Sequence, residues 1–294
     1  MGGRKYDFVP RKDGFEGAAH HVVAVNGRPP GRLATMTTLH YADERCEIHK
    51  VVVGPMDNNV FVLRCKQTGD AVLDVGALGS AFDGRQASGL SVAAPSGATP
   101  KLVGFYWGTR GSDFKPRLGE ATSSDGTTWT KVPVSVPDGG ALFPLGNPAS
   151  FDHGGERDPH VLADSATFHL YFTGLDSSGT RSIGYASTPE VVATKLPDNT
   201  SWSARSQLLA GDGSGFDASA VAHPSVIKDG ATYVMYYAGL DGSGNWKIGR
   251  ATAASGSGPF TRGMTAVLDV GVAGDFDAAT VALDHAACKG QADA

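Results

Sequence analysis

Residues 156–158, Glu156-Arg157-Asp158, put two carboxylates and a guanidinium directly before Pro159 in the stretch FDHGGERDPHVLAD (151–164). Two carboxyl groups in one place can divide acid and base work, because each raises the other's cost of ionising. Glu156 lies two residues before Asp158, so strand alternation predicts one shared face for the pair. Arg157 then points the other way, able to hold Asp158 ionised or to clamp a hydroxyl. The competing readings are a local Arg157–Asp158 ion pair closing the strand entrance and a solvated loop glutamate at 156. Sixty-five residues on, FDASAVAHPSVIKD (216–229) repeats the layout with His223 where Asp158 stood. His223 could donate to a bound hydroxyl, or cap the turn before Pro224.

The elements that must position these residues repeat through the chain. From Phe151-Asp152 and Phe216-Asp217, a glycine closing YFTG (Gly174) or YYAG (Gly239) follows after 23 residues, and the isoleucine of SIGYAS or KIGRAT after 32. Phe82-Asp83 starts another copy, reaching FYWG (Gly108) and RLGEAT with three extra residues in a hairpin segment, APSGATPKL. Weaker starts fall at Phe15-Glu16 and at Phe276-Asp277, the latter announced by AVLDVG (266–271), which duplicates residues 71–76. Each copy reads as four strands bounded by Asp-Gly and Gly-Ser turns, with TAVLDVG as the fourth strand of the copy from Phe216. Repeats of this kind define propeller blades. The sequence therefore predicts an all-β, five-bladed β-propeller of four-stranded blades, one domain over 1–294, with blades starting near 15, 82, 151, 216 and 276. The last blade is incomplete, or closed by the N-terminal strand.

Composition narrows the function classes. The chain has 294 residues, 41% apolar and 19% charged, with a net charge of −5. No basic run suggests nucleic acid, and no apolar stretch approaches the roughly 18 residues of a membrane helix. Three cysteines, Cys46, Cys65 and Cys288, are not spaced as a zinc site. They read as free or buried thiols, with a Cys46–Cys65 bridge as the alternative. No signal peptide is visible in the chain, yet few lysines and Gly/Ser/Thr-rich turns point to an extracellular or periplasmic protein.

The pattern FDxxxxxxPxVxxDGxxYxMYYxGxDGxGxxxIGxAT resembles the five-bladed propellers of the arabinanase, levansucrase and invertase superfamily, which includes glycoside hydrolase families 32, 43, 68 and 130. The resemblance is clear over about residues 66–285 and weak over 5–65. It implies a carbohydrate-active protein, weighed slightly toward a glycoside hydrolase, taking an oligo- or polysaccharide in an axial funnel. Family enzymes place three carboxylates where inner strands begin, one of them in an Arg-Asp-Pro triplet. Arg157-Asp158-Pro159 matches that triplet, so Asp158 takes the sugar-orienting role by resemblance. The equivalent steps elsewhere are Val22, Gly89, His223 and Leu283, none a carboxylate. Glycoside hydrolysis needs a protonated and an ionised carboxyl together. Asp158 and Glu156 are therefore the catalytic pair expected here, with Asp284 or Glu16 as sources of a missing base. Arg157, His223, His21, Arg85 and Asp284 are expected to bind substrate. The alternative is a non-catalytic glycan- or protein-binding propeller that has lost part of the carboxylate set.

Other features read as scaffold. The aromatics Tyr106, Trp107, Tyr171, Phe172, Tyr236 and Tyr237 recur at one strand position, as blade packing does. SSDGTTWTK (123–131) is close to a sialidase Asp-box, with Asp125 and Trp129 as a hairpin staple. No arginine cluster for a sialic acid carboxylate is evident. No cofactor is expected; the resemblance leaves room for a calcium on the axis, although histidine is a poor ligand for that ion.

Overall fold

The computed structural model describes residues 80–96, 102–132, 138–190 and 201–271, together with the strand backbones 37–42, 46–53 and 58–65. The chain divides into two compact units, 1–72 and 73–294. The first unit carries an antiparallel sheet of β1 (Thr37–Ala42), β2 (Cys46–Val53) and β3 (Asn58–Cys65), in that order. Cys46 and Cys65 stand directly opposite each other in the β2–β3 register. Cys288 lies outside the described residues, as do Phe15 and Phe276, where the first and last copies were expected to start.

The second unit carries three four-stranded antiparallel sheets, and each follows one of the Phe-Asp starts at 82, 151 and 216. The first sheet runs β4 (Gln86–Ala93), β5 (Leu102–Thr109), β6 (Pro116–Ser123), β7 (Thr130–Lys131). The middle sheet runs β8 (Gly155–Asp164), β9 (Thr167–Leu175), β10 (Arg181–Pro189), β11 (Ser206–Leu209). The third runs β12 (Ala220–Asp229), β13 (Thr232–Leu240), β14 (Trp246–Ala253), β15 (Thr261–Arg262). The first strands of the sheets pack in sequence, β4 against β8 and β8 against β12. One expectation is corrected here: the fourth strand of the third sheet is Thr261–Arg262, and TAVLDVG adds only a bridge between Leu268 and Ile248. The cis-proline turn and Phe260 bring the chain back to β14 before that segment begins.

The repeated residues have repeated jobs. The phenylalanine of each Phe-Asp pair lies on the glycine of the Leu/Ile-Gly step. A Cβ on Gly119 would sit 2.3 Å from the Phe82 ring, and one on Gly249 2.5 Å from that of Phe216. Only a bare backbone admits the ring there, which is why that glycine recurs. The aspartate of each pair closes the sheet. Asp83 accepts from the Tyr106 hydroxyl at 2.9 Å and from Lys131 Nζ at 2.5 Å. Asp217 does the same with Tyr237, at 2.7 Å, and Arg262 Nη1, at 3.0 Å. Each buried carboxylate thus ties the entry of the first strand to the fourth.

Apolar side chains fill the spaces between sheets. Phe105, Phe168, Phe172 and Trp202 pack the first sheet against the middle one; Tyr171, Tyr185, Met235 and Phe260 serve the next space. Tyr106, Tyr171, Phe172 and Tyr237 are buried in these layers, as expected of blade packing. The segment 123–131 is a hairpin staple: Asp125 Oδ1 accepts from the Thr127 and Thr128 amides at 2.8 and 2.7 Å, and Trp129 Nε1 donates to Gly126 O. Among the described residues, no helix is long and apolar enough to cross a membrane.

Candidate functional site

The first strand of every complete sheet carries a bulge at the same step. Pairing with the neighbouring strand breaks between Ser88 and Ser91, between Arg157 and His160, and between Ala222 and Ser225. At each break one residue takes a left-handed backbone: Gly89 at φ 65°, Asp158 at φ 53° and His223 at φ 52°. Glycine enters that region freely, whereas other residues pay of order 1–3 kcal/mol for it. The cost at Asp158 and His223 is compounded by the prolines that follow, which favour extended conformations before them. Gly89 shows that glycine fits the same bulge, so the backbone itself does not call for an aspartate or a histidine there.

Those two side chains meet. Asp158 Oδ2 lies 3.4 Å from His223 Nδ1, and the His223 amide donates to Thr173 Oγ1 at 2.9 Å. Arg157 Nε donates to Asp158 Oδ2 at 3.0 Å, and its guanidinium lies 5.1 Å from the centroid of the Trp107 ring. Arg157 thus stays beside the Asp158 carboxylate, as one reading of the triplet expected. Asp158 is buried, while Arg157 and His223 keep about a quarter and a fifth of their side-chain surfaces open, at 26% and 21%. The strands bring in one residue that the sequence did not single out. Arg181 opens β10 opposite Leu175, which is itself opposite Gly155 at the start of β8. Its guanidinium lies 5.2 Å from the Trp246 ring of the third sheet. Burial and the nearby Arg157 charge both push its pKa down, and Asp158 opposes them. The repeat register held a signal for it, since Arg181 and Trp246 occupy the same step of successive copies.

Glu156 belongs elsewhere, and the expectation of a face shared with Asp158 is corrected. The bulge after Arg157 breaks the two-residue period, so alternation no longer relates the two side chains. Glu156 is fully buried and ion-paired with Arg205, which also lies 3.1 Å from Asp152. Burial pushes its carboxyl up to about 8, with Asp152 adding to the rise and Arg205 opposing it. A raised carboxyl was expected, but burial causes it and Asp158 does not. Register explains why a glutamate stands here. Glu156 occupies the place of Ala87 and Val221, and the middle sheet has Phe172 where its neighbours have Tyr106 and Tyr237. The middle sheet lacks the tyrosine hydroxyl of the closing motif, and its fourth-strand cation takes a second carboxyl instead.

The remaining candidates are scattered. Arg85 is exposed and lies over the Phe114 ring at 4.6 Å. His21, Asp284 and Glu16 lie outside the described residues. Among the described residues, no group of three His, Cys, Asp or Glu side chains converges to hold a metal ion. A lone carboxylate beside two guanidiniums is also a poor fit for calcium, which requires an oxygen-rich shell. A cleft of about 440 Å³ opens on the Arg205 side of the middle sheet, lined by Phe143, Asn147, Asp152, Trp202 and Gln207, and not at Asp158.

No protein-family model matches the chain, and no curated protein does. Solved structures match it. One belongs to glycoside hydrolase family 130, described as mannoside phosphorylases that include glycoside hydrolases targeting β-1,2-mannosidic linkages in Candida mannan. It is 14% identical, with a TM-score of 0.52 over 83% of this chain and 75% of that one. A Bacteroides thetaiotaomicron protein described as an endo-1,4-beta-xylanase is 15% identical, with a TM-score of 0.50 over 78% of this chain and 72% of that one. The likeness to these two structures is one of fold, carried by the four-stranded antiparallel sheets. A family 117 glycoside hydrolase from Zobellia galactanivorans matches less fully, at 16% identity and a TM-score of 0.46. This chain spans 58% of its length, and 65% of this chain is covered. At such identities the likeness is one of architecture.

Proposed function

We propose that the protein is carbohydrate-active and takes a glycan where the first strands of its sheets begin, with Asp158 and His223 contacting sugar hydroxyls. The observation carrying this reading is the pair of strained, non-glycine bulge residues that meet at 3.4 Å across two sheets. Asp158 can accept from a hydroxyl, and Arg157 orients its carboxylate through a charge-assisted hydrogen bond. His223 can donate or accept. The fold adds a class of ligand by analogy only, because one architecture serves many functions.

Hydrolysis would need two carboxyls at one bond. The described cluster supplies one, and Glu156 is committed to Arg205. The geometry therefore favours binding through Asp158. Glycoside hydrolysis is the second reading; it is favoured by the Arg157-Asp158-Pro159 triplet and needs a further carboxylate from residues outside those described, such as Glu16 or Asp284. An extracellular or periplasmic location suits either reading. The test is a glycan-binding array run beside aryl glycosides, arabinan and fructan oligosaccharides, with wild type and Asp158→Asn. Binding without turnover, lost at least about tenfold in the variant, is the expected outcome. Turnover that falls by roughly 10²–10⁴ in the variant would instead establish the hydrolase. A variant that binds and turns over like wild type removes Asp158 from the site.

A further inference from the structure

We infer that the sugar taken at this site is acidic: the structure assigns Arg181, with Arg157, to the carboxylate of a hexuronic acid residue in the glycan. The inference rests on the glycan reading above and adds the charge of the ligand.

The first ground is charge balance around Asp158. Arg157 and His223 contact the Asp158 carboxylate, and Arg181 lies near enough to feel the charges of both Arg157 and Asp158. Asp158 is already engaged by Arg157 and His223. Among the described residues, no carboxylate lies within ion-pair distance of Arg181, and none of its nitrogens finds a hydrogen-bond acceptor. Among the described residues, the cations that close the three sheets are paired: Lys131 with Asp83, Arg205 with Asp152 and Glu156, Arg262 with Asp217. Arg181 departs from that rule at the mouth of the strands, where a ligand would sit.

The second ground is preorganisation. Each guanidinium lies over a tryptophan, Arg157 over Trp107 and Arg181 over Trp246. A guanidinium resting against an aromatic ring has less freedom to turn, and its planar donor fork matches the two oxygens of a carboxylate. The two arginines leave from opposite sides of β9, one on β8 and the other on β10, so they approach the mouth from two strands of one sheet. A neutral sugar would leave that fork without a charged acceptor, whereas a hexuronate supplies the carboxylate on a ring whose hydroxyls reach Asp158 and His223. The sequence carried no sign of this, because the arginines are 24 positions apart.

The experiment titrates the full chain with tri-galacturonate, with the neutral galactotriose and with inorganic phosphate, reading heat and tryptophan fluorescence. Trp107 and Trp246 lie under the two guanidiniums and report occupancy. The expected result is binding of tri-galacturonate at least about tenfold tighter than of galactotriose, weakening as salt is raised. Arg181→Met should remove that preference while leaving the far-ultraviolet spectrum unchanged. Arg181→Lys, which keeps the charge without the planar fork, should fall between. Equal binding of the acidic and neutral trisaccharides would overturn the acidic ligand and leave the glycan reading intact. Arg181-dependent binding of phosphate as tight as tri-galacturonate would overturn the sugar-acid assignment in favour of a free anion. Binding of neither trisaccharide would overturn both readings at once.

Discussion

The middle and third sheets share a plan, and three of their differences are instructive. Both bulge at the same step of the first strand, both seat a phenylalanine on a glycine, and both close on a buried aspartate. The middle sheet has Phe172 for Tyr237, Glu156 for Val221 and Asp158 for His223. The first two changes belong together: one removes a hydroxyl from the closing motif and the other supplies a carboxyl to the same cation. The third is independent, because it changes only what the bulge displays. The comparison separates a compensating pair inside the scaffold from a residue that changes only the apex of the bulge.

The largest test of that separation is Asp217→Ala. It removes the partner of the Tyr237 hydroxyl and leaves Arg262 only the half-exposed Asp212 at 3.7 Å, and should cost about 3 kcal/mol of stability by urea unfolding. Asp152→Ala should cost clearly less, because Arg205 keeps Glu156. Equal losses would mean that Glu156 does not stand in for the missing hydroxyl.

Glu120 gives the next effect. It occupies the step of Tyr185 and Arg250 in the other sheets, and neither of its buried oxygens has a partner. Burial pushes its carboxyl up to about 8 from an ordinary 4.5. The fold therefore keeps a proton that the unfolded chain releases. Stability should fall as pH rises from about 5 to about 8, then level off, by up to about 1.4 kcal/mol per pH unit for this group. Glu120→Gln should flatten that slope in urea titrations across the same range; an unchanged slope would mean that the carboxyl ionises in the fold.

Gly249→Ala should cost about 1–3 kcal/mol by overpacking, since the new methyl would meet the Phe216 and Tyr237 rings. Gly244→Ala tests a different constraint. Its added Cβ meets nothing, so any cost reflects its backbone at φ 88° alone.

The smallest effect should come from the most pointed change. The double variant Glu156→Val with Phe172→Tyr gives the middle sheet its neighbour's arrangement. Its stability should stay within about 1 kcal/mol of wild type, as compensating neighbours allow. Its glycan binding should be unchanged. A folded double variant that has lost turnover present in wild type would return Glu156 to the role of general acid.

The sequence made the scaffold legible because each recurring residue answers a local constraint. A phenylalanine needs a glycine beneath it, and a buried aspartate needs a hydroxyl and a cation, so Phe-Asp and Ile-Gly recur at fixed intervals. The alignment of Gly89, Asp158 and His223 followed from those intervals and matches the three bulges. Glu156 was misplaced for a physical reason: alternation presumes an unbroken strand, and the break begins one residue after it. Arg181 showed only as the register partner of Trp246, because its neighbours come from strand pairing and from another sheet.

The bulge carries a last consequence. Its shape comes from a slip in strand pairing and not from the residue at its apex, since an aspartate, a histidine and a glycine all occupy the same turn. The apex is thus an interchangeable fitting. Writing an aspartate at position 89 would add a second acid to a strand entrance without redrawing the sheet beneath it, so the chemistry of these entrances can be revised by single substitutions while the architecture stays fixed.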